Sequence, residues 1–322
     1  MKLKIKISKR PFALSLFGCM LLFQSTLIAQ DSTVVAEEPT VPAKVKPAKN
    51  TFQSIWIIDN QTVLVPVKKT FEMDIQHRFG TVQNGYQDFW GFFAPSNIRL
   101  GFNYVPINKL NVGIGITKDN MLWDANAKYA IITQTKGKYP VSVSYYVNMG
   151  YDTRKDKDKS IFKYQSQRMS FFNQLIIARK ITSKLSLQVA PSISHQNAVS
   201  GYYTKNDSTG TEVFKEMKFD HFAIAFSGRY KMTNVMSFMI NYDQPITKHA
   251  TNNPHPNFSF GIEMTTSSHS FQVFVGNYSR LNPQQNNLYN SNNPFGYTET
   301  DGTKTKGGQF LIGFNITRLW NY

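Results

Sequence analysis

A single cysteine, Cys19, occurs in the 322 residues, and it lies in an N-terminal stretch that reads as a leader. Beyond that stretch there is no thiol to cross-link or to act as a nucleophile, so the fold must rest on hydrogen bonding and burial. Long apolar runs are also missing. After residue 30 none approaches the roughly 18 to 20 residues that a membrane helix needs, which leaves strands as the only means of crossing a bilayer. Metal-ligand spacings and glycine-rich phosphate loops are absent as well. Residues 152–159, DTRKDKDK, set carboxylates at calcium-like intervals, but the interleaved Lys and Arg cancel the charge a divalent cation requires. No cofactor is implied.

The first 29 residues have a clear logic. Lys2, Lys4, Lys6, Lys9 and Arg10 precede an apolar run over residues 11–28, followed by Ala29 and Gln30. That is the layout of a secretory signal peptide, with cleavage expected after Ala29. The stretch 16–19, LFGC, resembles a lipoprotein box only faintly, because the apolar run continues past Cys19. Removing residues 1–29 takes away five basic and no acidic residues, lowering the formal charge from +16 to +11. Residues 30–50 are rich in Pro, Ala, Val, Lys and Glu without a period that could bury a face, and read as a flexible periplasmic tail. The folded part is expected over residues 51–322. Its first stretch, 56–65 (WIIDNQTVLV), is strand-capable but stopped by Pro66, a pattern equally compatible with an added strand, entry into the barrel or packing beneath it.

From residue 71 the chain alternates. Phe71, Met73, Ile75, His77 and Phe79 share one face, opposite Glu72, Asp74, Gln76 and Arg78, too strict for a helix and too charged for a sheet covered on both sides. Eleven further stretches follow, ten of them between residues 98 and 278. The sixth (169–180) and eleventh (271–278) carry apolar residues on both faces, so their parity is uncertain. The last, 309–322, sets Phe310, Ile312, Phe314, Ile316, Trp320 and Tyr322 on one face, an aromatic-ended pattern suited to closing a barrel against the first strand. Links after even-numbered stretches are mostly short and those after odd-numbered ones mostly long. This rhythm belongs to outer-membrane barrels, with short turns in the periplasm and long loops outside. The expected fold is all-β, a transmembrane antiparallel up-and-down barrel of about 12 strands with both mature termini in the periplasm.

Residues 60–63 (NQTV), 75–80 (IQHRFG), 96–101 (SNIRLG) and 228–230 (GRY) carry a resemblance: the chain resembles uncharacterised outer-membrane β-barrels of Bacteroidota, a domain-of-unknown-function family. The resemblance implies an outer-membrane barrel and brings no activity or catalytic residues.

Glu72, Asp74, Arg78, Arg99, Asp124, Lys128, Arg229 and Glu263 fall on the expected lumen face. Both signs are present. They line either a narrow channel or passive transporter for small polar solutes, or the inside of a non-transporting structural or interaction barrel closed by ion pairs. A barrel hydrolase would need His beside Ser or Asp; Asp220 and His221 come nearest, but neighbours on a strand point opposite ways, and no catalytic residue is assigned. The basic excess sits in the expected outer loops, including Arg154, Lys155, Lys157 and Lys159, where the natural anion is lipopolysaccharide phosphate rather than nucleic acid. Besides outer-membrane lipid, the expected partners are the barrel-assembly machinery, which would read the terminal strand, and a small polar solute.

Overall fold

The computed structural model describes residues 46–159, 161–206, 208–298, 304–305 and 310–321. The expected signal peptide and Tyr322 lie outside the described residues. Twelve antiparallel strands close on themselves: β1 (Thr70–Thr81), β2 (Asn97–Ile107), β3 (Leu110–Thr117), β4 (Leu122–Ile132), β5 (Ser142–Asp152), β6 (Met169–Lys180), β7 (Leu185–Gln196), β8 (Asp220–Lys231), β9 (Met236–Pro245), β10 (Asn257–Thr265), β11 (His269–Gly276) and β12 (Leu311–Asn321). Each pairs with its neighbours in sequence, and β12 pairs with β1 through Phe314 opposite His77, Ile316 opposite Ile75 and Trp320 opposite Phe71. No edge is left to recruit another chain. An eleven-residue strand such as β2, at about 3.3 Å per residue and tilted about 45°, rises about 25 Å, the height of the apolar band of a membrane barrel.

The strict alternation becomes two chemically opposite surfaces. Outward residues such as Trp123, Ile114, Phe222, Phe226 and Val273 are exposed, while inward Glu72, Asp74, Gln76, Arg78 and Arg99 are at most 2% exposed. Pro191 in β7 has no N–H to give, and the β6–β7 ladder skips from Gln174 opposite Ser192 to Ile177 opposite Val189. Short turns follow β2, β6, β8 and β10, at the end where Thr70 begins and Asn321 ends the barrel. The longer connections lie at the other end, one folding a hairpin from Gly201–Lys205 and Glu212–Glu216. Of the expected tail, residues 46–49 lie against the β4–β5 turn, with Ala48 N donating to Gln134 O (2.8 Å) and Lys180 Nζ to Lys49 O (2.7 Å).

The interior is not lined by the wall alone. Residues 51–65 enter the barrel from the short-turn end as a hairpin, with Trp56–Ile57 paired to Asn60–Gln61. Phe52, Ile57, Ile58 and Val63 join a cluster with inward Phe172, Ile176 and Ala178 of β6, Ala190, Ala225, Met239 and Phe274. This accounts for the double-faced sixth and eleventh stretches: Phe171, Leu175 and Ile177 look out while Phe172, Ile176 and Ala178 receive the hairpin, and Phe274 does the same on β11.

Candidate functional site

The hairpin turns at Ile58 and Asp59, and Ile58 sits at φ 59°, a left-handed conformation costly for a β-branched residue. Two bonds hold it there. Its N–H donates to Gln272 Oε1 (3.1 Å), and its carbonyl accepts from Asn315 Nδ2 (2.5 Å). Strain of this kind persists only where the surroundings over-determine it. Around the rest of the hairpin every strand from β4 to β12 contributes a bond. Lys128 Nζ donates to Gln61 Oε1 (2.7 Å) and Thr62 O (3.1 Å), Ser144 Oγ to Val63 O (2.9 Å), Gln174 Nε2 to Asn60 Oδ1 (3.0 Å) and Gln188 Nε2 to Gln61 O (2.8 Å). Arg229 and Thr265 both donate to Gln53 Oε1. Gln272 Nε2 donates to Trp56 O (2.8 Å).

From the long-loop end a second segment comes down to meet it. The short helix α1 (Pro283–Asn286) lies in an amide-rich stretch whose Asn282, Gln284 and Asn286 are buried. Amides both donate and accept, so they satisfy a polar wall without the desolvation cost of an ion. Asn282 Nδ2 donates to Asp124 Oδ2 (3.2 Å), Gln284 Nε2 to Asn148 Oδ1 (2.9 Å), and Gln284 O accepts from Gln196 Nε2 (2.8 Å). The two segments touch where Asn286 donates to Asp59, which also accepts from Tyr278 Oη (2.7 Å) and Asn241 Nδ2 (2.9 Å). Beside it, Asp243 Oδ1 accepts from Asn60 Nδ2 (2.8 Å). Two chain segments, one from each end, thus lie inside the lumen among the wall side chains and meet at Asp59.

The lumen charges fall into separate groups. Arg99 Nη1 bonds Asp74 Oδ1 (3.0 Å), while its Nη2 and Nε take Asp124 Oδ1 and Oδ2 (2.8 and 2.9 Å). The ring of Trp56 lies 5.6 Å from the guanidinium carbon. Gly101 and Gly115 make this triad sterically feasible, because a Cβ on either would stand 2.2 Å from Asp74 Oδ2 or 2.3 Å from Arg99 Nη2. Arg229 pairs with Glu263 (2.6 Å). Arg78 donates to Asn315 Oδ1 (3.0 Å) and stacks 4.5 Å from the centre of the Phe274 ring. Glu72 borders a cavity of about 260 Å³ between the hairpin and the β10–β11 turn.

The remaining candidates are placed as follows. Arg154 pairs with Asp152 (3.0 Å), and Lys155, Lys157 and Lys159 are exposed in the β5–β6 connection. Phe310 precedes β12, Ile312, Phe314 and Ile316 face outward, and Trp320 packs 5.5 Å from Phe71. Asp220 and His221 point apart: Asp220 pairs with exposed His195 (2.8 Å), while buried His221 Nδ1 lies 2.9 Å from His249 Nε2. The sequence singled out residues 56–65 but left entry into the barrel as one of three possibilities; it gave no sign of α1 or of the roles of Gln272, Asn241 and Asn315, and the two double-faced strands were the further signal of something packed inside.

Asp59 gives a pH prediction. Burial holds its carboxyl above the usual carboxylate range, against the lowering influence of the Tyr278 hydroxyl and Arg78, and Asp243 is its carboxylate neighbour. A raised pKa means the docked hairpin prefers the protonated form. That preference is fully present below the ordinary carboxylate pKa of about 4 and is lost as pH rises through the higher docked value. Acrylamide quenching of Trp56, with Trp90, Trp123 and Trp320 replaced by Phe, is expected to increase as the pH rises above the ordinary carboxylate range of about 4. In Asp59→Asn the increase should flatten; a flat wild-type profile would contradict the assignment.

A closed barrel with an apolar outer band, a polar wall and chain segments lodged in its lumen defines a membrane-spanning β-barrel of the plugged kind. The chain belongs to the family described as "Membrane bound beta barrel domain (DUF5777)", whose model matches residues 52–320 and so includes most of the hairpin. No curated protein matches it in sequence. Among solved structures, an outer membrane channel from Pseudomonas putida F1 is 11% identical over 80% of this chain and 97% of that one, with a TM-score of 0.46. The NanC porin is 9% identical over 78% of this chain and 99% of that one, with a TM-score of 0.43.

Proposed function

We propose that this protein is a gated channel for small polar solutes in the outer membrane, with residues 51–65 as the removable gate. The observation that carries the reading is what closes the lumen. A barrel meant only as a scaffold can fill itself with wall side chains, as those of about eight strands do. Here twelve strands enclose more space, and two inserted segments occupy it, one of them strained at Ile58 and tethered to the tail at the short-turn end. Withdrawal of the hairpin releases that strain and frees the polar wall of β1 to β5. In this reading residues 1–29 are the export signal, the short turns and both termini are periplasmic, and Lys155, Lys157 and Lys159 meet lipopolysaccharide phosphate. The terminal strand through Trp320 is what the assembly machinery reads.

A second reading has its own support: the cluster of Ile57, Ile58, Met239 and Phe274 would suit a static core in a non-conducting barrel. Planar-bilayer recording separates the two. The wild-type protein is expected to open rarely, and a variant lacking residues 51–65 to conduct persistently. If neither opens at any voltage, while both keep the heat-dependent gel shift of a folded barrel, the channel reading fails.

A further inference from the structure

The connection from β1 to β2, residues 82–96, combines low charge with a dense set of exposed aromatic rings. It contains one charged residue, Asp88, whereas residues 153–168 contain four lysines and two arginines. It also holds Tyr86, Phe89, Trp90, Phe92 and Phe93, all exposed, with Tyr86 and Phe93 each 82% open. Isolated exposed rings need no explanation, but a contiguous set marks an interaction surface.

The set is contiguous. Phe89 lies 5.4 Å from Trp90, 6.0 Å from Phe92 and 5.7 Å from Phe93, and Tyr86 lies 6.2 Å from Trp90. It also joins the outward face of the barrel. Phe92 packs 4.6 Å from Phe79, Phe79 lies 6.0 Å from Phe314, and Phe314 stacks 5.0 Å from His77. The rings therefore continue the apolar band of the β12–β1 seam without a break. The backbone is built to keep them there: Gly80 N donates to Gly91 O (3.0 Å), and Asp88 accepts from Gly91 N (2.9 Å) and Asn84 Nδ2 (2.9 Å). Gly91 at φ 84° is indispensable, because a Cβ there would stand 2.3 Å from Gly80 O. Phe89 and Trp90 take left-handed φ values of 52° and 53°, which bulky residues adopt only where something outside local preference favours them.

We propose that residues 86–93 form a membrane-dipping loop, whose aromatic rings enter the upper acyl region of the lipid leaflet at the long-loop end and anchor the closing seam. Lipid is the partner this surface selects, for two reasons. The surface is continuous with the lipid-facing band, and it offers indole and phenol groups with almost no charge, the composition that settles at a membrane interface.

Trp90 reports on this directly. The full-length protein and Trp90→Phe are reconstituted in phosphatidylcholine vesicles with and without bromine on the upper acyl carbons, and the difference between their emissions isolates Trp90. A heat-dependent gel shift verifies that both are folded. The Trp90 signal is expected to be blue-shifted in plain vesicles and to lose most of its intensity in brominated ones. An unquenched signal at the red position of hydrated indole overturns the proposal. An unquenched but blue-shifted signal, with a dimer by light scattering in detergent, overturns it in favour of a second copy of the chain.

Discussion

Arg99→Met is expected to cost the barrel about 3–5 kcal/mol, read as a lowered urea midpoint and loss of the heat-resistant band on detergent gels, because it leaves two buried carboxylates unpaired. The guanidinium is 1% exposed and holds Asp74 and Asp124 through three bonds, joining β1, β2 and β4 on the wall. Nothing nearby can take over, since the other donors are single amides: Asn103 on Asp74, and Asn148 and Asn282 on Asp124. Lysine is no substitute, as one ammonium cannot serve two carboxylates in fork geometry. The same energetics predict a rescue. Replacing all three charges, Arg99→Met with Asp74→Asn and Asp124→Asn, removes the unpaired ions and should recover most of the loss. An Arg99→Met barrel with the wild-type midpoint would show the lumen to be wet enough to solvate both carboxylates.

Loosening the hairpin should have the other large effect. Ile57 and Ile58 are 1% and 0% exposed, and burying each contributes about 1.5–3 kcal/mol. Ile57→Ser with Ile58→Ser therefore shifts the docking equilibrium by roughly 10²- to 10⁴-fold toward withdrawal. The readout need not depend on conduction. Ser54 is buried at 3%, so in a Cys19→Ser, Ser54→Cys background the thiol is protected from an impermeant maleimide while the hairpin is docked. The doubly substituted protein should label roughly 10²- to 10⁴-fold faster, following the shift in open population. Equal rates would mean that the polar bonds alone hold the segment, or that it never leaves. The wall is not expected to suffer, because its ladder hydrogen bonds do not involve either side chain.

Much of this architecture is written in local pattern. Alternation with period two, from Glu72 against Phe71 through Asn315 against Phe314, determines which side chain faces in, and a one-residue slip would turn every charge toward lipid. The rhythm of connections and the apolar outward face of the terminal strand determine closure, so twelve strands and the β12–β1 pairing follow from sequence alone. Parity alone singles out Glu72, Asp74, Arg78, Arg99, Asp124, Lys128, Arg229 and Glu263, but it does not reach the buried Asp243 or Asp59 on the hairpin. The partners of these charges were not legible. Arg99 meets Asp74 and Asp124 because Gly101 and Gly115 leave it room, and a contact across strands depends on register and side-chain volume, which no single stretch encodes.

What only the tertiary structure decided is the content of the lumen. A stretch such as WIIDNQTVLV has the same composition as a wall strand, and its two pairs, Trp56 with Gln61 and Ile57 with Asn60, are too short to leave a periodic signature. Its position depends on bonds from Lys128, Gln188, Gln272 and Asn315 on four distant strands, and on apolar patches of β6 and β11 that in sequence looked like lost parity. The amide-rich run around α1 is equally silent, since Asn and Gln suit a solvated loop as well as a buried polar wall. The barrel is fixed by a repeating local rule, whereas the seating of the segments inside its lumen depends on long-range complementarity that only the completed barrel brings together.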